Sequence, residues 1–545
     1  MKLIYIDPPY NTGGDTLIYH YDFSRRPNDY ARDNGDYGLE GMRISTNLES
    51  NGRFHSDWCS DFYPKLLTAR DLLAADGVIA ISIGEVELDN AIKIADEVFS
   101  RSNRVFIASR AMKSGGAKGK FYTPSVDYIL FYAKDISGAS HFRAPFTQEQ
   151  IDVFYKQKET KGPHAGELYG EERLFKASLD PRPNQRYFIQ CPDGSFVIPP
   201  GVSFPKELEE GVIILPTSED KVWKWIYPRY LKELEAGRIV FKKTGTSSLV
   251  NEKGEPSPWN IYNKLYLSEQ QEKGVVPSNL ILKYENRQSS RELKALDIPF
   301  DYAKPLGLIE YICQIVGVCK NDIVMDFFSG SATTAHAVFE ISRQIGNDVH
   351  FIMVQYPEVI GADDEAGKAG YRTICEIGEE RIRRAGEKIR AEIDEANRQL
   401  EIGADPKPYP DLGFRVLRID SSNFKDFYLT PGETAQESLF DFADNVKEGR
   451  SDLDLLFEVL PKLGIPYSAK IEERMLAGKK VFFVDGDKLA ACFDANVGSD
   501  TIEEMAKAKP WYAVIRDSSM ADDATHANYE ELFRTYSPDT VPQVI

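Results

Sequence analysis

Leu3-Ile4-Tyr5-Ile6-Asp7-Pro8-Pro9-Tyr10 is a continuous apolar run that stops at a carboxylate and two prolines. An unbroken apolar run is the pattern of a strand buried on both faces, and proline, with no N–H and a fixed φ, ends the ladder. The chain therefore opens inside a sheet covered by helices, with Asp7 at a strand's carboxyl end. Working outward, Phe62, Leu66, Ala69 and Leu73 recur at helical spacing, Asp76-Gly77 breaks the helix, and 78–83 is a second continuous apolar strand. A helix over 85–99 and the apolar stretch 128–132 continue the alternation, so the fold class is α/β.

From about 140 to 300 the texture changes to short segments punctuated by Pro and Gly and rich in aromatics, among them Tyr187-Phe188-Ile189, Trp223-Lys224-Trp225 and Arg238-Ile239-Val240-Phe241. This predicts an inserted strand-rich domain. The α/β texture returns after Lys304-Pro305 with a helical stripe of Leu308, Ile309, Ile312, Ile315 and Val316. A strand over 323–327, a helix over 333–345 and a strand over 351–354 follow. The charged helix over 376–395 reads as a solvated face or a dimer contact. Beyond 411, strands are expected at 414–419, 481–484 and 511–515, and helices at 453–460 and 501–508.

The 545 residues carry 66 Lys+Arg against 85 Asp+Glu, a net charge of −19, with 42% hydrophobic and 28% charged residues. These proportions exclude a disordered, collagen-like or coiled-coil chain. No apolar run reaches the roughly 18 residues of a bilayer span and no leader pattern is visible, so a cytoplasmic protein without membrane association is expected. Six cysteines and seven histidines show neither CxxC nor ligand spacing, so neither a metal site nor a disulfide framework is expected. An acidic total argues against a polyanionic partner, which binds through Lys and Arg. The charge is uneven, however: 411–545 has 25 acidic and 15 basic residues, whereas 104–134 has six basic residues against Asp127 alone.

Two constellations carry chemistry. At Asp7-Pro8-Pro9-Tyr10, a carboxylate and a backbone carbonyl on a stiff turn could each accept one N–H of an exocyclic base amine. That would free a lone pair otherwise delocalised into the ring, while the aromatic side chain stacks on the base. A turn of Asp and two prolines is also routine strand-ending punctuation. Asp326-Phe327-Phe328-Ser329-Gly330-Ser331-Ala332-Thr333-Thr334 runs from a strand through a small-residue turn into a helix, whose N-terminal N–H groups suit a carboxylate; it can equally be a plain strand-to-helix connection. Val354-Gln355-Tyr356-Pro357-Glu358 ends the next strand with groups placed to bond a ribose.

The two constellations in this order, with an insert between them, resemble the β-group of amino-methyltransferases acting on DNA, and within it the modification (Mod) subunit of type III restriction-modification systems. The narrower likeness rests on 6–13, on Gly52-Arg53-Phe54-His55-Ser56-Asp57-Trp58, on Ile81-Ser82-Ile83, on Trp223-Lys224-Trp225 with Gly237-Arg238-Ile239, on Lys304-Pro305, on 326–334 and on 354–358. The resemblance implies a permuted, Rossmann-like sheet dependent on S-adenosylmethionine. Its catalytic half would be 1–139, a target-recognition insert 140–300, the donor-binding half 301–410, and a small acidic α/β domain for subunit contacts 411–545. Asp7, Pro8, Pro9 and Tyr10 would act on a flipped adenine, since Asp rather than Ser in first place points to N6. Lys304, Pro305, Asp326, Phe328, Gly330, Ser331, Thr333, Gln355 and Glu358 would hold the donor. Expected partners are double-stranded DNA, a second copy and a separate ATP-dependent helicase-nuclease (Res) subunit, because this chain shows no phosphate loop of its own. An orphan adenine methyltransferase without a nuclease, or a catalytically impaired DNA-reading scaffold, is the alternative.

Two departures from that pattern bear on the donor. Ala332 stands where a third glycine is usual, a mild change that narrows the backbone approach. Such relatives also carry a further strand and helix ahead of the Asp-Pro-Pro-Tyr strand; either the start is misassigned, the gene is truncated or another element fills the gap, and weak donor affinity is expected on that ground. For DNA, the basic segment 104–134, with Gly115, Gly116 and Gly119 for mobility and Phe121 and Tyr122 for stacking, predicts a loop in which Arg110, Lys113, Lys118 and Lys120 clamp phosphates; a solvated loop without ligand is the alternative. Trp223 and Trp225 are read as core rather than as a wedge, and His55, Asp57 and His336 as structural.

Overall fold

Leu3–Ile6 forms β1, and all four side chains are buried. In chain order it is followed by β2 (Val78–Ile83), β3 (Arg104–Ala111), β4 (Val126–Ala133), β5 (Leu280–Ile281), β6 (Ile323–Asp326) and β7 (His350–Met353), which form one sheet in the order β5-β3-β4-β2-β1-β6-β7. Only β4 runs against the rest. The computed structural model describes residues 1–12, 54–113, 123–400, 404–425 and 445–545. These divide into two units, Met1–Phe414 and Arg415–Ile545.

The continuous apolar runs are explained by the helices on either side. Ile4, Ile6, Ile79, Ile81 and Ile83 point to a core shared with Phe62, Leu66 and Ala69 of α1 (Phe54–Leu72) and Ala91, Ala95 and Val98 of α2 (Leu88–Phe99). Leu3, Tyr5, Val78 and Ala80 point the other way, to Leu308, Ile309 and Ile312 of α3 (Leu306–Val316) and Ala337, Val338 and Ile341 of α4 (Thr333–Ile345). β1 continues through α1 to β2 on one side, and β6 through α4 to β7 on the other. Between the adjacent parallel strands β1 and β6 the connections diverge, which is where open α/β sheets form a ligand crevice at their carboxyl ends.

Three expectations change. The segment from Arg104 is not a loop: 104–111 is a strand paired with β4 from Phe106↔Phe131 to Ala111↔Val126. Its polar residues hid it. The helix expected at 376–395 is α5 (Ile374–Arg398), and it is not merely a solvated face, because Ile377, Ile382, Ala385, Ile389 and Ile393 are buried, with Ile382 to Ile393 packing with Phe339 of α4. No strand forms at 414–419, where the side chains lie largely open to water and Ile419 is fully exposed.

Within the insert, Gln157–Lys158, Leu168–Arg173, Trp259–Tyr266 and Ile239–Lys243 make a four-stranded antiparallel sheet. Trp223 and Trp225 are buried in its core with Tyr187 and Tyr230. The second unit has its own five-stranded sheet, with a helix over Asp452–Lys462 on one face and helices over Ser499–Lys507 and Asp523–Tyr536 on the other. Among the described residues no helix is long and apolar enough to cross a membrane.

Candidate active site

The turn leaving β1 is pinned at Pro9 and at Asn11. The indole N–H of Trp58 on α1 donates to the Pro9 carbonyl at 2.8 Å. Asn11, in the left-handed region at φ 56°, donates through Nδ2 to Glu87 Oε1 at 2.6 Å, and the same carboxylate meets His55 Nδ1 at 2.8 Å and accepts from Asn90 at 2.7 Å. Glu87 is fully buried, so these partners are what make its burial tolerable. His55 thus helps to satisfy the buried Glu87, a residue not singled out in the sequence.

Tyr10 is held from behind. Its hydroxyl donates to Asp127 Oδ2 at 3.2 Å, and Asp127 is gripped by Arg110, whose Nε lies 2.7 Å from Oδ1 and Nη2 2.5 Å from Oδ2. Arg110 and Asp127 are cross-strand partners in β3 and β4 and both are buried. Arg110 also donates to the Tyr284 carbonyl and to Asn286 Oδ1. It therefore cannot clamp a phosphate: a fully buried guanidinium saturated by a carboxylate belongs to the wall behind Tyr10. Burial, with Asp7 and Asp127 nearby, holds the Tyr10 phenol well above its usual range and so neutral. Lys113 lies just past the carboxyl end of β3, on the same sheet end as Asp7, while Lys118 and Lys120 fall outside the described residues.

Asp7 itself faces Lys304. The ammonium Nζ is 2.5 Å from Asp7 Oδ2 and 4.9 Å from the centroid of the Tyr10 ring. Asp7 Oδ1 is buried with no hydrogen-bond partner among the described residues. Lys304, expected beside the donor, is thus brought to the Asp7–Tyr10 turn, and Pro305 after it is the N-cap of α3.

Across the crevice, Asp326 ends β6. Its Oδ1 accepts from the Phe328 N–H at 3.0 Å and Oδ2 from the Thr334 hydroxyl at 2.6 Å. Burial pushes its carboxyl up to about 7 against these donors. Gly330 at φ 49° and Ala332 at φ 59° turn the chain sharply into α4. Alanine pays roughly 1 kcal/mol or more for that left-handed geometry. The turn is stapled twice. Gly330 N–H donates to Gln355 Oε1 at 2.8 Å, and Arg381 Nη1 reaches Ser331 Oγ at 2.8 Å and Thr333 Oγ1 at 2.6 Å. Gln355, Ser331 and Thr333 thus shape the turn with their side chains. Phe328, half-buried, packs at the edge of the α1–α2 core. Glu358 keeps a buried Oε1 without partner among the described residues, and burial pushes its carboxyl up to about 7.

Arg381 escaped the sequence reading although a signal was present: one arginine sits on the apolar stripe Ile377, Ile382, Ala385, Ile389. Asp127 and Glu87 had none, since each is explained by a residue distant in the chain.

A family model described as DNA methylase matches residues 1–385. The chain is 28% identical over 497 residues to the type III restriction-modification enzyme StyLTI Mod subunit of Salmonella typhimurium, covering 87% of this chain and 66% of that protein. It is 29% identical over 417 residues to the EcoPI Mod subunit of Escherichia phage P1, covering 73% and 60%. The chain thus spans less than two thirds of the length of these curated relatives. A solved cytosine-N4-specific PvuII DNA methyltransferase aligns at TM-score 0.28 and 9% identity, over 71% of this chain and 86% of that one.

Proposed function

The chain belongs to the DNA methylase family, and from that premise we propose that it transfers a methyl group from S-adenosylmethionine to adenine N6 of double-stranded DNA, as the modification subunit of a type III restriction-modification system. The observation that carries this is the pairing of two half-sites at the sheet's switch point: Asp7, with a buried unpartnered Oδ1, beside the Tyr10 ring, and across from them the Gly330 turn.

The residues fit the donor. The small-residue turn admits close backbone approach, the N-terminus of α4 suits a carboxylate, and the orphaned Glu358 Oε1 suits a ribose hydroxyl. When bound, the sulfonium supplies an activated methyl. The chain's own residues would do the rest. Tyr10, braced by Asp127 and Arg110, holds the extruded base flat, because N6 cannot be reached inside a stacked duplex. Asp7 accepts one N–H of the amine and turns the nitrogen lone pair toward the methyl; the Pro8 carbonyl is the second acceptor. The reaction calls for no covalent enzyme intermediate. A second copy, a Res subunit and a cytoplasmic setting are part of the same proposal.

Incubation with labelled S-adenosylmethionine and DNA from a non-modifying host should yield N6-methyladenine. Asp7→Ala should reduce transfer by at least about 100-fold, the scale of a lost transition-state hydrogen bond to a charged group in a dry site, with DNA binding retained. Label appearing on cytosine N4, or undiminished transfer by Asp7→Ala, would overturn the assignment.

A further inference from the structure

Asp7 and Tyr10 together define one position: a nitrogen within hydrogen-bond reach of the carboxylate and close to the ring. In the chain as it stands that position is taken. Lys304 Nζ lies 2.5 Å from Asp7 Oδ2 and 4.9 Å from the Tyr10 centroid, and the Lys304 side chain is only 10% exposed. This is no loose surface pair, because both constraints are met by a group largely withdrawn from water.

We propose that Lys304 is a stand-in for the target amine: its ammonium occupies the amine's place on Asp7 and Tyr10 until a base displaces it. The inference rests on the reading of Asp7 and Tyr10 as the base-binding pair. The chemistry matches, since both ammonium and exocyclic amine present N–H donors to the same carboxylate. The backbone is built for a side-chain swing rather than a loop movement. Lys304 precedes Pro305, which restricts its backbone to extended conformations. Pro305 sits at φ −61° and ψ 135° as the N-cap of α3, and the Leu306 N–H is held by Glu292 Oε2 at 2.9 Å. With the backbone held on both sides, the four side-chain torsions of Lys304 are what is left to move.

A stand-in keeps the pocket ordered and Asp7 Oδ2 paired when no base is present, at the expense of affinity for the base. It also sets a threshold: a base must replace a charge-assisted hydrogen bond, which only a base presenting an N–H donor at that position can do.

The test uses the full chain with Lys304→Met, Lys304→Arg and Asp7→Ala, and labelled adenosine in equilibrium dialysis, counting only the binding that Asp7→Ala abolishes so that any adenosine in the donor site is subtracted. Lys304→Met, which keeps the stem and drops the charge, should tighten that binding by about ten-fold or more, the scale of a hydrogen bond to a charged group. It should also lower KM for DNA, whereas Lys304→Arg, which still offers a charged N–H to Asp7, should tighten neither. If Lys304→Met binds adenosine no tighter, or loses kcat with KM unchanged, Lys304 orients Asp7 and the stand-in is wrong. Tighter adenosine binding without any methyl transfer in the parent chain would instead remove the methyltransferase reading and leave the stand-in in place. Normal transfer with no change in Lys304→Met would do the reverse.

Discussion

A cross-strand pair shows why individual residues were the hardest to read. Arg110 looks like a phosphate ligand in a basic segment, yet it lies opposite Asp127 in the register of β3 and β4, and the pair is buried behind Tyr10. Removing one partner of a buried pair leaves an uncompensated charge, so Asp127→Ala should cost about 3 to 5 kcal/mol in denaturant unfolding. Gly84 presents a different case: a Cβ there would lie 2.7 Å from Tyr10 Cδ2. Gly84→Ala should therefore shift the Tyr10 ring and weaken methyl transfer while leaving far-UV circular dichroism unchanged; full activity would show that the ring's position does not matter. Asp326 yields a pH prediction. Its carboxyl is raised from 3.8 to about 7 by burial, so between those values the native state keeps a proton that the unfolded state has released. Rising pH through this window then favours unfolding. His336, lowered from 6.5 to about 3 chiefly by burial, works in the opposite direction, so the informative quantity is a difference. Thermal midpoints from pH 4 to 7 should move in favour of Asp326→Asn relative to the parent as pH rises.

At the scale of elements, α5 is the piece whose role the structure changed most. Its charged residues suggest a solvated rod, and Arg383 and Arg384 do pair with glutamates on that helix. Its apolar stripe nevertheless packs on the sheet's helical layer, and Arg381 reaches from it to Ser331 and Thr333, about fifty residues earlier. Burial lowers the Arg381 guanidinium to about 10, still charged at neutral pH. Arg381→Met should retain the fold but loosen the 329–333 turn. Calorimetric affinity for S-adenosylmethionine should fall about ten-fold, with a far smaller effect on DNA binding; unchanged donor affinity would mean that the turn holds its shape without the staple. The same element explains a glycine: a Cβ on Gly378 would meet the Gly330 carbonyl at 3.2 Å, so the helix can approach the turn only because that position is bare. β3 was missed because Arg104, Ser109 and Arg110 interrupt its apolar pattern, and strand periodicity is blind to a cross-strand partner that neutralises a charge.

For the whole molecule, the two units have separate cores, one around β1 with α3 and α4 and one around Leu456, Val484 and Ala491. Calorimetry should resolve two transitions. Leu456→Ala, at a fully buried site, should lower the transition of the second unit by roughly 10 °C while leaving the other in place; a joint shift would show one cooperative unit. Much of this plan is legible in the chain. The runs 3–6 and 78–83 are apolar throughout because helices cover both faces of a parallel sheet, and that pattern needs no knowledge of partners. The half-sites were legible for the same reason: Asp7 to Tyr10 and Asp326 to Thr334 are each contiguous, and strand, turn and helix start are local properties. The strands of the insert were read only in part, since Leu168–Arg173 and Trp259–Tyr266 depend on pairing with each other across some ninety residues. What the sequence by itself determined is therefore the α/β class and the two short stretches to which the chemistry is proposed to fall. Only the tertiary structure decided that Lys304 meets Asp7, that Arg381 staples the 329–333 turn and that Arg110 is walled in. Each of those contacts joins elements separated in the chain, and their meeting is set by strand order, cross-strand register and helix packing rather than by any local preference.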